Sequence, residues 1–285
     1  MTILFILISL LCWIGHKLMN IVSKKKKFLP HRSIIIWSHP RSCSTILWRS
    51  LKNGTKNSKG FNEPFLLLKN SDQQPLRNIQ TTRLKDLLDL AKETFKPSTL
   101  NHNLTIIKEH AFVYGQITNM DIFKKVTLFP SYYIFLIRNP LAAIISYVKM
   151  QQKENAEIRS EEISMELQWK LFKRLKKVMK DQIFLIDADE LLENPETILK
   201  KMCEKFKIPF SKKMLEWPDI DADLSENEFA SSFSKAAKTT CFERKNVTYS
   251  KKNLLKQNNF EIPKSLTSTL SNNIKIYRKF KRFLH

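Results

Sequence analysis

Two stretches of this chain follow one plan, and that repetition limits the fold more than any other feature of the sequence. Ser33 to Trp48, SIIIWSHPRSCSTILW, opens with a β-branched apolar run suited to a parallel strand, breaks at Pro40, and offers Ser44 and Thr45 where a helix should begin. Ser131 to Met150, SYYIFLIRNPLAAIISYVKM, repeats it with an apolar strand, Arg138 at its carboxyl end, Pro140 at a helix start and Ser146 two turns on. A helix that begins directly after a strand points its unpaired first-turn N–H groups at one spot, and an arginine in the turn adds a fixed charge there. The first stretch is therefore expected to hold an anion with Arg41, Ser44 and Thr45. In the second, Arg138 and Ser146 can grip one phosphate from two directions. For the first loop alone, an ordinary Ser/Thr helix cap is the simpler alternative.

The first loop lacks the glycines and the lysine of GxxxxGK[ST], so it is not that motif. It resembles the PRSGST-type loop of the sulfotransferase family, enzymes that move a sulfuryl group from 3′-phosphoadenosine 5′-phosphosulfate (PAPS). The resemblance implies that Arg41, Ser42, Cys43, Ser44 and Thr45 hold the 5′-phosphosulfate end, with Cys43 standing where the family usually has glycine. The second stretch is similar to the family's strand–R–[DN]–P signature with its helical serine, which implies a 3′-phosphate site at Arg138 and Ser146. Asn139 takes the place of the commoner aspartate. Asn62, Glu63, Pro64 and Phe65 resemble the NEPF or CEPF stretch of bacterial members, with the carboxylate at the mouth of the site. Thr105 to His110, TIIKEH, is similar to the K-x-H of cytosolic members, and Arg244 and Lys245 to a late R-K-G segment that closes on the 3′-phosphate, here without its glycine. The matching pieces run from about Ser33 to Trp217.

The fold expected is a three-layer α/β/α domain with a mostly parallel central sheet of the P-loop nucleotide-binding type, because strands alternate with helical patterns. Residues 31–285 read as one domain. Ile183 to Asp189 reads as a further strand, Leu191 to Phe210 as the helix after it, Ser160 to Val178 as a long amphipathic helix and Leu84 to Phe95 as a shorter one. Gly54 to Gln80, rich in Asn, Lys, Ser and Pro, reads as loops and a substrate lid. The ending IYRKFKRFLH is basic and amphipathic, either a helix packed on the domain or a membrane-surface contact.

Sulfuryl transfer, like phosphoryl transfer, asks mainly for positioning and charge. Arg41, Lys108 and a helix N-terminus would stabilise the departing phosphate oxygen with no metal. A base must take the proton of the acceptor hydroxyl or amine, and His110 and Glu63 are the candidates. Strand alternation places Lys108 and His110 on one face and Glu109 on the other. Two rival functions remain open on the residues. One is a kinase using ATP and magnesium with Asp187 as metal ligand, and the other is a non-catalytic protein that binds a membrane or macromolecule through its basic surface. The acceptor, small molecule or macromolecule, is not legible, because variable loops shape it.

With 49 Lys and Arg against 27 Asp and Glu, the formal net charge is +22, which draws the protein toward polyanions such as an anionic membrane. A solvated basic surface with no partner is the plainer alternative. No zinc-finger spacing or aromatic RNA-binding signature is present, so no specific nucleic-acid partner is expected. Cys12, Cys43, Cys203 and Cys241 form no CxxC or Cys/His cluster, which fits a reduced, cytoplasmic setting. Residues 1–30 comprise an apolar segment and a basic linker. Thr2 to Gly15 would span only about 21 Å of a roughly 30 Å hydrocarbon core. Lys17 and Lys24 to Lys27 follow the segment, so a domain anchored by it would face the cytoplasm. A start at Met19 is the alternative.

Overall fold

The computed structural model describes residues 32–63, 104–116, 131–218, 239–243 and 260–284. The apolar amino-terminal segment, the expected helix Leu84–Phe95, Pro64, Phe65, Arg244 and Lys245 lie outside the described residues. Among those described, β1 (Arg32–Ser38), β2 (Ser58–Asn62), β3 (Leu104–His110), β4 (Ser131–Ile137) and β5 (Ile183–Asp187) form one sheet in the order β2-β3-β1-β4-β5. Every neighbouring pair is parallel. Helix α1 (Ser44–Gly54) follows β1, α2 (Ala111–Gln116) follows β3 and α3 (Pro140–Lys153) follows β4. Then come α4 (Ser160–Ile163), α5 (Glu166–Val178), α6 (Ala188–Glu193), α7 (Pro195–Phe206) and α8 (Thr267–Lys281).

Alternation along β1 decides the layers. Ile34 and Ile36 pack with Leu47, Trp48 and Leu51 of α1 and with Leu199 and Phe206 of α7, while Ile35 and Trp37 pack with Leu171 and Phe172 of α5 and Phe280 of α8. Both faces are thus apolar, which is why the strands read as continuous β-branched runs. The basic carboxyl-terminal stretch resolves as α8, docked through Ile276 and Phe280. No helix among the described residues is long and apolar enough to cross a membrane.

Three expectations need correction. Residues 58–62, placed in a loop, are the edge strand β2, whose SKGFN carries no β-branched residue. Gly60 is required there, since a Cβ would come within 2.7 Å of the Trp48 ring. The helix expected over Ser160–Val178 is broken at Ser164 and Met165. Buried Asn273 of α8 takes up the backbone groups freed at the break, its Oδ1 accepting from Met165 N at 2.9 Å and its Nδ2 donating to Ile163 O at 2.9 Å. The helix expected over Leu191–Phe210 is two helices, since Pro195 cannot continue α6 and instead starts α7. Helix α7 stops at Phe206, where Lys207 turns left-handed at φ 52°.

Because β1 is flanked by β3 and β4, the connections after β1 and β4 diverge at the carboxyl edge of the sheet. Such a switch point is where open parallel sheets bind ligands.

Candidate active site

Strand β1 runs into a turn that is folded on itself. Ser42 Oγ donates to the His39 carbonyl at 2.8 Å, and His39 Nδ1 lies 2.9 Å from the Pro40 carbonyl. Arg41 and Cys43 both have φ 64°. Left-handed residues alternating along a turn curl the main chain so that its N–H groups converge, as anion-binding nests do. They also explain why glycine suits the position of Cys43, since a side chain there costs about 1–2 kcal/mol of backbone strain. Cys43 is the N-cap of α1 without a side-chain capping bond, and its thiol packs partly against the core. Ser44 and Thr45 are the first two residues of α1 and both are buried.

The second arm leaves β4 through Arg138 and Asn139. Asn139 Oδ1 accepts from Leu141 N at 3.0 Å and Ala142 N at 3.3 Å, so it caps α3 as aspartate would. The change from aspartate is therefore mild. Arg138 Nη1 donates to the Arg41 carbonyl at 2.7 Å, and Arg138 Nε lies 3.7 Å from Asp189 Oδ1. Arg41 Nε in turn donates to Ser146 Oγ at 3.0 Å, with Nη1 3.5 Å from Met150 Sδ. The two arms interlock, and it is Arg41, not Arg138, that meets Ser146. Burial, with Arg138 adding to it, lowers the Arg41 pKa from its ordinary value, so positive charge is crowded here. Asp189 was read only as the end of a strand, yet at the start of α6 it braces Arg138. No sequence signal separates it from Asp187.

A third group lies where β2 and β3 end. Glu63 N donates to the Lys108 carbonyl at 2.7 Å, which continues the β2–β3 pairing by one step and, with Glu63 at φ 53°, turns its carboxylate inward. Glu63 Oε1 contacts Lys108 Nζ and lies 2.9 Å from His110 Nε2. Lys108 Nζ lies 3.5 Å from His110 Nε2, so both share a face as alternation requires. His110 Nδ1 is 3.3 Å from Ser38 Oγ, at the edge of the anion turn. All three are buried, Lys108 at 1%, Glu63 at 3% and His110 at 7% exposure. The expectation of a carboxylate at the mouth is thus corrected, because pairing with β3 draws Glu63 inside. Glu63 and His110, read as rivals, are neighbours.

Burial pulls the Lys108 ammonium down to about 7, with Glu109 opposing the fall and Arg41 adding to it. Burial also holds His110 well below its usual range, reinforced by Lys108 and Arg41. His39, which the sequence reading passed over, is drawn to about 4 by burial. Burial of this kind keeps both imidazoles neutral at pH 7.

Asp187 stands elsewhere. Its Oδ1 accepts from Asp189 N at 2.9 Å, and its Oδ2 accepts from Tyr277 Oη at 2.5 Å and Lys281 Nζ at 3.2 Å, tying β5 to α8. Among the described residues, no three His, Cys, Asp or Glu side chains gather as a metal site.

A family model described as a sulfotransferase domain matches residues 32–249. No curated protein matches the chain significantly. Among solved structures, the sulfotransferase domain from the Synechococcus PCC 7002 olefin synthase is 16% identical with a TM-score of 0.54, covering 88% of this chain and 95% of that one. The sulfotransferase domain from the curacin biosynthetic pathway is 19% identical with a TM-score of 0.49, covering 82% and 99%. Mouse sulfotransferase SULT7A1, complexed with PAP, is 12% identical with a TM-score of 0.43, covering 88% and 89%. The first of these supports the fold, and with the family match over most of its length the chain belongs to the sulfotransferase domain family, whose members are PAPS-dependent transferases.

Proposed function

We propose that this protein transfers the sulfuryl group of PAPS to a hydroxyl or amine of its acceptor, in line and without a metal. When bound, PAPS supplies the activated sulfuryl group. The interlocked arms at the switch point support this reading: Arg41 and the start of α1 on one side and Arg138 at the start of α3 on the other, joined where Arg41 Nε donates to Ser146 Oγ and Arg138 Nη1 donates to the Arg41 carbonyl. Crowded positive charge and converging N–H groups fit an anion at each end of a bisphosphate. Arg41 and the α1 N-terminus hold the 5′ end together with Ser44 and Thr45, and Arg138 and Ser146 hold the 3′ end. Arg41 and Lys108 stabilise the charge that develops on the leaving oxygen.

His110 receives the acceptor's proton, and the Glu63 carboxylate at 2.9 Å stabilises the imidazolium so formed. A buried ion pair beside a buried imidazole seldom repays its desolvation in stability, which favours catalysis over a purely binding role for this fold. The kinase alternative loses its metal ligand, since the Asp187 carboxylate is committed to Tyr277, Lys281 and α6.

Adenosine 3′,5′-bisphosphate, the desulfonated product, should raise the melting temperature, because a ligand that binds only the folded state stabilises it by mass action. A shift with ATP and magnesium but none with saturating bisphosphate overturns the reading.

A further inference from the structure

Helix α5 sets one polar side chain beneath the point where the two arms leave the sheet. Gln168 has no exposed surface. Its Nε2 donates to the Trp37 carbonyl at 3.1 Å and to the Leu136 carbonyl at 2.9 Å. These carbonyls belong to the carboxyl ends of β1 and β4, where Ser38 opposite Leu136 is the last pair of the ladder. One step further, the strands part toward Arg41 and Arg138.

The surroundings call for an apolar residue. Ile35, Trp37, Phe135, Leu171 and Phe172 make up this side of the core. Among the described residues the Gln168 Oε1 has no hydrogen-bond partner, so the amide carries a desolvation cost that packing alone would not retain. What an amide does that an apolar chain cannot is present two N–H groups at fixed angles to two acceptors. It bridges two strand ends at a set distance.

We propose that Gln168 is a positioning residue that fixes the separation of the two anion sites, so that a ligand with a phosphate at each end engages both at once. The proposal rests on the PAPS reading above. Gln168 touches neither phosphate, and it acts through the ends of β1 and β4, while the Arg138 contact to the Arg41 carbonyl ties the arms above it.

The test is calorimetric titration of the wild type and Gln168→Met with adenosine 3′,5′-bisphosphate, 5′-AMP and 3′-AMP. Methionine keeps the length and packing and removes both donors. The expected result is a loss of about tenfold for the bisphosphate with less than about threefold for either monophosphate, the pattern of coupled sites losing their register. Equal losses for all three ligands would mean general softening of the fold and overturn the proposal, as would unchanged bisphosphate affinity. Failure of the wild type to bind the bisphosphate removes the functional reading itself. If Gln168→Met does not fold, Gln168→Asn keeps the amide but is too short to reach both carbonyls, and the same selective loss is expected.

Discussion

The two arms and the Glu63–Lys108–His110 cluster meet at Ser38 but are built on opposite principles. The arms gather positive groups and tie them mostly to uncharged partners, a main-chain carbonyl, a hydroxyl and a thioether. One carboxylate, Asp189, stands beside Arg138. The cluster gathers a carboxylate, an ammonium and an imidazole whose charges are balanced internally and sealed from water. On the proposed function, one region attracts an anion and the other holds a proton, and each would fail at the other's task. Crowded guanidiniums make poor bases, and a neutralised cluster exerts little field on a phosphate.

That contrast breaks most sharply at His110. His110→Ala should lower turnover by about 10²–10⁴-fold while leaving bisphosphate affinity nearly unchanged, because the base acts on the acceptor and not on the nucleotide. Turnover is read as PAPS consumption and affinity by titration. If Glu63→Gln abolishes turnover while His110→Ala does not, the carboxylate is the base and the roles within the cluster are reversed.

The next effect is on stability. His39 is neutral in the fold, with its pKa lowered to about 4 by burial, whereas in the unfolded chain it protonates near 6.5. The unfolded state therefore binds more protons as pH falls from 6.5 to about 4, and stability drops across that window and no further below it on this account. The shift corresponds to roughly 3 kcal/mol. His110, also lowered, adds to the loss in the same direction. Urea melts of the wild type and His39→Asn at several pH values test this, and a variant with an unchanged slope refutes it.

Arg138→Ala brings the smallest change and tests the arms alone. Losing a charge-assisted contact of roughly 1.5–3 kcal/mol should weaken the bisphosphate about tenfold to a hundredfold while sparing 5′-AMP. A similar loss for 5′-AMP would show that Arg138 serves the whole site, as its bond to the Arg41 carbonyl allows.

The sheet was legible because both of its faces are covered, so Ile34, Ile35 and Ile36 could be read as one strand without knowing which helix each would meet. The two arms were legible because their chemistry is local, a strand end followed within a few residues by arginine, proline and a helix start. Strand β2 was not, since its polar SKGFN is set by a place at the sheet edge and by the room Trp48 demands of Gly60. The break at Ser164 and Met165 was hidden because the residue that compensates it, Asn273, lies more than a hundred positions away. Gln168 was unreadable for the same reason, as its acceptors come from two other strands. Glu63 was found by motif but misplaced, because only the pairing of its own N–H with Lys108 reveals that it turns inward.

Arg49 lies on α1, one turn beyond Thr45, and is wholly buried. Its Nη1 donates to the Thr239 carbonyl and its Nη2 to the Pro218 carbonyl, each at 2.6 Å, and Trp217 Nε1 donates to the same Thr239 carbonyl at 2.7 Å. One guanidinium on α1 thus holds Pro218 and Thr239 together, and the Trp217 indole shares the second of these carbonyls. Arg49 therefore ties the helix that opens at the anion turn to two stretches far away in the chain, and loss of its guanidinium would release both from α1.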